Sequence, residues 1–333
     1  MIRLLKILVV LGLVWSTYWY GAAYVLRQGV TKWFAAQTER GWQADFSDIM
    51  TSGYPTRHIM TLQNPALADP ATGAAWQADW LNMDSPAIWP GRQTLAFPAT
   101  TQLLSYFDQT VALRAEGMVA DLHLKPGRNL AVDRMALTSG PWQVDDATGE
   151  ALAADAIVLS MQSTDQAETY QFNVDAPQFV PGAALRRFVR PSAALPDSFE
   201  TLELDMKVRF DRSWDRRALE DRRPQPVAID LKLAQAKWGA LALFAAGQVT
   251  VDGNGVPTGE LSIKAENWRD MLTIAQGAGA FPEYAIGATE RVLNLLSNMS
   301  GNPETLDVNL TLRNGMVTLG PFPLGPAPYI YLR

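Results

Sequence analysis

Twenty consecutive residues, Ile7 to Leu26 (ILVVLGLVWSTYWYGAAYVL), carry no charge, and this run constrains the chain more than any other feature. A helix rises about 1.5 Å per residue, so the run covers about 30 Å, the thickness of a bilayer's hydrocarbon core. It predicts one membrane-spanning helix, flanked by Arg3 and Lys6 on one side and Arg27 and Lys32 on the other. Cleavage after the small residues Gly21, Ala22 or Ala23 is the alternative. Retention is preferred, because the apolar region of a signal peptide is only about 7–15 residues long. Trp15, Tyr18, Trp19 and Tyr20 lie in the second half of the run. Such amphipathic rings favour the headgroup level, so these four are the expected membrane-interface residues.

The remainder has the makings of a globular body: the 333 residues are 48% hydrophobic and 19% charged. Formal net charge is -6, and setting Arg3 and Lys6 aside with the anchor gives -6 - 2 = -8. Phosphate neutralisation needs surplus Lys and Arg, so a nucleic-acid partner is not expected. With no cysteine, disulfides, thiolate catalysis, Cys-bound zinc, iron–sulfur clusters and a lipidated cysteine are all excluded. The expected division is an anchor over 1–28 and a β-rich body over 29–333, with a sub-boundary near 180–200.

Val30, Trp33, Phe34 and Gln37 fall on one side of a short helix that continues the anchor as a stalk and ends at Gly41. Trp42 to Leu67 then reads as strands broken at Gly53-Tyr54-Pro55 and Asn64-Pro65. A repeat organises the strands beyond Leu67. Residues 68–83 align without gaps on 144–159, with seven identities in sixteen positions, including Asp69/Asp145, Thr72/Thr148, Gly73/Gly149, Ala78/Ala154 and Asp79/Asp155. The shared D-x-A-T-G is turn chemistry: Asp bonds its own backbone two residues on and Gly tolerates positive φ. A repeated strand, turn, strand unit predicts a sheet extended by hairpin addition.

Period-two alternation marks further strands at Val119–Lys125, Tyr170–Val174, Leu202–Phe210 and Val227–Leu233. The clearest hairpin runs from Leu241 through Asp252-Gly253-Asn254-Gly255 to Ala265. Another turns at Asn314-Gly315 between Val308–Leu312 and Val317–Leu319, and the Pro-rich tail GPFPLGPAPYIYLR reads as an edge segment. Short helices are expected over Pro181–Arg190 and within the mixed-charge run 211–223. Asn267 is expected to cap a helix with its side-chain oxygen, and a second helix follows Pro282 with Tyr284, Ala288, Val292, Leu295, Leu296 and Met299 at helical spacing.

Catalytic signatures are missing from the sequence. Asp252–Gly255 starts like a calcium loop, but Val256, Pro257 and Ile263 stand where a ligand, the required Gly and a bidentate Glu belong, leaving a tight hairpin as the reading. His58 and His123 share no zinc spacing, and no G-x-S-x-G elbow occurs. No enzyme activity, metal or cofactor is therefore expected. Arg186, Arg187 and Arg190 form a candidate contact for an anionic headgroup. The nearby Arg209, Arg212, Arg216, Arg217, Arg222 and Arg223 are interleaved with Asp211, Asp215, Glu220 and Asp221, where mutual pairing is the simpler account.

SGYPTRHIMTLQNPAL at 52–67, TGAAWQADWLNM at 72–83, LFAAGQVTVDGNGVPTGELSIKAENWRDML at 243–272 and NGMVTLGPFPLGPAP at 314–328 together resemble a bacterial family of membrane-anchored proteins, domain-of-unknown-function family 2125. Its most specific part is the GxVxVDxxGxPxGxLxI pattern over 247–263. More distantly, the strand pattern is similar to AsmA-type envelope proteins, a resemblance that implies lipid handling. The fold expected is mainly β with α (α+β): an extended curved antiparallel sheet of repeated hairpins, two C-terminal helices and one transmembrane helix. The function expected is non-enzymatic binding of lipid or another apolar envelope component, with the anchor in a bacterial inner membrane and the body in the periplasm. The alternative is a scaffold that binds an envelope protein partner through the tail or the mixed-charge run.

Overall fold

The computed structural model describes all residues except 108, 128, 148, 183–185, 187–194, 221, 278–292, 295–296, 298–301 and 333. The chain separates into two compact units, Met1–Leu124 with Val144–Gly149, and Lys125–Gln143 with Glu150–Arg333. The division falls ahead of the 180–200 boundary expected from sequence.

In the first unit a single helix, α1 (Ile2–Glu39), carries the apolar run without interruption into the segment expected to be a stalk. It is no free stalk. Trp19, Ala23, Phe34 and Gln37 are buried along one stripe, the i, i+4 spacing of a helix laid against a core. Phe34 packs with Ile49, Met60 and Leu62, and Leu26 and Val30 join that cluster. Trp33 stays exposed, because the buried stripe passes through Val30, Phe34 and Gln37 and leaves Trp33 to one side. The chain then forms β1 (Gln43–Asp45), β2 (Asp48–Ser52), β3 (Arg57–Gln63), β4 (Ala66–Asp69), β5 (Ala74–Gln77), β6 (Trp80–Pro86), β7 (Arg92–Ala96), β8 (Gln102–Tyr106), β9 (Gln109–Ala115) and β10 (Val119–Leu124). They pair antiparallel in two orders, β1-β4-β5-β8-β9 and β2-β3-β6-β7-β10. Large open antiparallel sheets thus replace the one extended sheet expected.

The repeat explains itself at the turn. Asp69 accepts from the Ala71 amide at 3.0 Å and the Thr72 hydroxyl at 2.8 Å, closing the link between β4 and β5. The second copy again places strand, turn and two strands in series, as β12 (Trp142–Asp146), β13 (Gly149–Ala154) and β14 (Ile157–Ser163). Ala78 and Ala154, identical across the repeat, are both buried.

The second unit also contains β11 (Val132–Ser139), β15 (Thr169–Asp175), β16 (Thr201–Phe210), β17 (Pro226–Trp238), β18 (Leu241–Val251), β19 (Pro257–Glu266), β20 (Thr305–Arg313), β21 (Met316–Leu319) and β22 (Phe322–Pro326). Its strands pair antiparallel as β11-β14-β15-β16-β17-β18-β19-β20-β21-β22. The specific glycine pattern acts here. A Cβ on Gly247 of β18 would collide with the Glu260 carbonyl oxygen, and one on Gly259 of β19 with that of Gln248. Asp252 Oδ1 accepts from the amides of Asn254 and Val256 at 2.8 and 2.9 Å, so the carboxylate of the calcium-like string closes the hairpin turn.

Two helical expectations change. The mixed-charge run yields only a single turn, α2 (Arg217–Glu220). Its remaining described residues turn instead, because Trp214 packs against the cluster of Met161, Tyr170, Val208 and Phe210. The expected helix after Asn267 forms as α3 (Trp268–Gly277), but Asn267 adopts φ 56° and its side-chain amide donates to the Ala240 carbonyl. The first-turn amide of Asp270 is accepted by the Asn267 backbone oxygen at 3.2 Å. The second C-terminal helix lies outside the described residues apart from Leu293, Asn294 and Ser297, which are helical. Of the 181–190 helix, Arg186 is described as helical, and residues 183–185 and 187–190 lie outside.

Candidate functional site

The second unit holds an apolar pocket of about 450 Å³ between its sheet and α3. The floor follows from register. Ala236, Leu243, Ala265 and Leu306 are direct partners across β17, β18, β19 and β20, so they form one row on one sheet face. Two of the four are alanine, and the floor is recessed there. Trp238 and Leu241, paired across β17 and β18, extend it. The roof comes from α3: Trp268, Met271, Leu272 and Ala275 recur at helical spacing and face the row.

Two of the lining residues are tryptophans fixed by their polar edges. Trp238 Nε1 donates to Pro196 O at 2.7 Å, and Phe199 stacks on the same ring with centroids 4.7 Å apart. Trp268 Nε1 donates to Pro303 O at 3.1 Å, while the Arg269 guanidinium lies over the Trp268 ring at 4.7 Å and donates to Pro303 O and to Asn294 Oδ1, each at 2.8 Å. With both indole N–H groups engaged, the lining side chains offer a ligand carbon and the Met271 sulfur. Among the described residues the lining supplies no nucleophile, acid or base, an arrangement that suits burial of an apolar chain.

Of the three arginines expected to contact an anionic headgroup, only Arg186 is among the described residues. Arg186 is half-buried and its amide bonds the Gly182 carbonyl at 3.3 Å; it is not among the pocket's lining residues, and Arg187 and Arg190 lie outside the described residues. In the mixed-charge run Arg222 pairs with Asp211 at 2.6 Å and Arg217 with Asp215 at 2.8 Å, so pairing accounts for these charges. The hydrogen bonds from Arg217 hold the buried Asp215 carboxyl below its usual range. Burial raises the Tyr170 phenol above its ordinary value, and its oxygen accepts from the Trp214 amide at 3.1 Å. Among the described residues no group of three or more His, Asp or Glu side chains is placed to hold a metal ion.

The four aromatic residues assigned to the membrane interface meet protein in the first unit. Trp15 Nε1 donates to Pro55 O at 3.0 Å, Tyr18 Oη to Ala87 O at 2.7 Å and Trp19 Nε1 to Arg57 O at 2.9 Å. Tyr20 stacks on Tyr54 at 5.9 Å. His58, fully buried, stacks on Trp19 at 4.9 Å and its Nε2 donates to the Trp19 carbonyl at 3.2 Å.

A model of the family described as an uncharacterized protein conserved in bacteria, domain-of-unknown-function family 2125, matches residues 19–328. The chain belongs to this family. No curated protein and no solved structure matches it, and the resemblance to AsmA-type proteins is not among these findings. The match to family 2125 begins at Trp19, the residue that α1 buries deepest, and takes in the whole pocket.

Proposed function

We propose that this member of family 2125 is a membrane-anchored envelope protein that binds the acyl chain of a lipid, without catalysis, in the pocket beneath α3. The observation that carries the reading is the pocket itself: about 450 Å³, lined by hydrophobic side chains, with its two indole N–H groups already bonded to backbone carbonyls. Its size falls within the range of about 300–1,000 Å³ of small-molecule sites. Each methylene taken from water contributes about 0.8 kcal/mol, so roughly ten carbons would supply about 8 kcal/mol before the costs of ordering the chain. α1, long and apolar enough to cross a membrane, keeps the body beside its lipid supply.

The body is placed in the periplasm, with the N-terminus inside. A phosphatase reporter fused after Arg333 should be active, and an inactive fusion overturns this topology. The scaffold reading has less to stand on, because Ile330 N donates to Gly255 O at 2.8 Å and Leu332 exchanges hydrogen bonds with Gln225 at 2.8 and 2.9 Å, engaging the tail within its own unit.

The test is mass spectrometry of lipid that co-purifies with the full chain and with Ala275→Phe, which fills the pocket while leaving α1 intact. Near-stoichiometric acyl lipid in the wild type, lost in the variant, is expected. Equal lipid in both preparations means the lipid belongs to the anchor and the pocket reading is wrong.

A further inference from the structure

The docking of α1 conflicts with the length a membrane span needs. Ile2 to Val14 is exposed throughout and covers about 20 Å, whereas the hydrocarbon core is about 30 Å thick. Counted from Lys6, a span of about 30 Å ends near Leu26. The stretch Trp15–Ala23, already bonded to the body, therefore falls inside the membrane.

Detaching the helix would remove the conflict at a high cost. It would expose Trp19, Ala23, Ala87 and His58, all less than a tenth exposed, and would break the indole and phenol hydrogen bonds to Pro55, Arg57 and Ala87. Buried polar groups left without partners in an apolar medium are costly, so the loops travel with the helix.

Their composition fits that position. The β2–β3 turn, Gly53-Tyr54-Pro55-Thr56, and the β6–β7 loop, from Ala87 to Gly91, contain no charged residue. Ile88 projects from the second loop with 78% of its surface exposed and Tyr54 from the first with 49%. Exposed aliphatic and aromatic side chains on neighbouring loops mark a surface that meets lipid. At the root of both loops Arg57 Nε meets the two Asp84 carboxylate oxygens at 2.7 and 2.8 Å, and this bond raises the Arg57 guanidinium further above its ordinary value. That charged bridge bounds the uncharged surface of both loops.

We propose that the 53–56 turn and the 87–91 loop of the first unit are sunk in the leaflet that α1 enters, so that helix and loops together form the anchor. The proposal rests on reading α1 as a span. Embedding supplies the missing length: α1 need not clear the membrane before the body starts, and the aromatic cluster around Trp19 enters the membrane with its N–H and O–H groups already bonded to protein.

Because the chain has no cysteine, single-cysteine labelling needs no background changes. Full-length Leu8→Cys and Ile88→Cys, each carrying an environment-sensitive fluorophore, are reconstituted in phosphatidylethanolamine–phosphatidylglycerol vesicles containing lipid-borne quenchers at shallow or deep positions. Both sites are exposed, so neither label disturbs packing. The expected result is loss of Leu8 emission to the shallow quencher, since Leu8 lies about 3 Å inside a span counted from Lys6, and loss of Ile88 emission to a lipid-borne quencher at either depth. Quenching at Leu8 alone overturns the embedded loops and leaves the span standing. Quenching at neither site removes the span, and the proposal with it.

Discussion

Two pairs of tryptophans do the same local chemistry in the two units with opposite results. Trp15 and Trp19 donate to Pro55 and Arg57, and Trp238 and Trp268 donate to Pro196 and Pro303, in every case an indole N–H to a backbone carbonyl at 2.7 to 3.1 Å. Around the first pair, Ala23, Ala87 and His58 fill the space and make a joint. Around the second, Ala236, Ala265 and Ala275 leave it open as a pocket. An anchored indole fixes geometry; the size of its neighbours decides whether that geometry is a seam or a receptacle.

The largest effect should come from Trp19→Ala, which removes a filled ring and its hydrogen bond at a cost of about 3–5 kcal/mol. Faster hydrogen exchange over residues 19–37 of the full chain is the readout. Unchanged exchange would show that lipid, and not the ring, holds the helix in place. Next, one chemical change should go in opposite directions at the two sites. Ala23→Leu overpacks the joint and should destabilise it by about 1–3 kcal/mol. Ala275→Leu enters empty space and, in delipidated protein, should be neutral or stabilising by up to about 1 kcal/mol in thermal unfolding. If both substitutions destabilise equally, the pocket is not open and the contrast collapses.

Asp215 supplies a buried polar contact set against the core of the second unit. Asp215→Asn weakens the bonds to Arg217 and should cost about 1–3 kcal/mol at neutral pH. The native carboxyl sits below its unfolded value, so its contribution is present above about pH 4 and is lost as pH falls further. Denaturant titrations of the two proteins should therefore converge below that pH; a constant gap would show that charge is not the cause. The smallest effect is expected at Trp214, whose buried indole N–H has no hydrogen-bond partner among the described residues. Trp214→Phe loses ring area and sheds an unsatisfied donor, leaving a net change within about 1 kcal/mol. A loss comparable to that of Trp19→Ala would remove hydrogen bonding as the feature that separates these indoles.

Hairpins were legible because their signals are local. Asn314-Gly315 turns with φ 53° and 73°, as its residue types require, and the alternation of β18 and β19 is visible without knowing the partner strand. The seam of α1 was not legible in the same way. A tryptophan suits a headgroup layer and a protein cleft equally, and the sequence has no mark joining Trp15 to Pro55 or Tyr18 to Ala87. The pocket floor was hidden for the opposite reason, since Ala236 and Ala265 look like ordinary strand residues until register sets them in one row. Asn267 had the right residue type for a side-chain cap, but its positive φ turned the amide toward Ala240 instead.

The unbroken course of α1 over 38 residues has a mechanical meaning. Helices bend sharply at prolines, glycine–serine pairs or bulges, and the rod contains no proline and no such pair between Ile2 and Glu39. With no hinge between the apolar stretch and the part fixed to β2 and β3, a thinner bilayer that tilted a membrane-spanning α1 would swing the first unit with it, and membrane thickness would reach that unit as an angle.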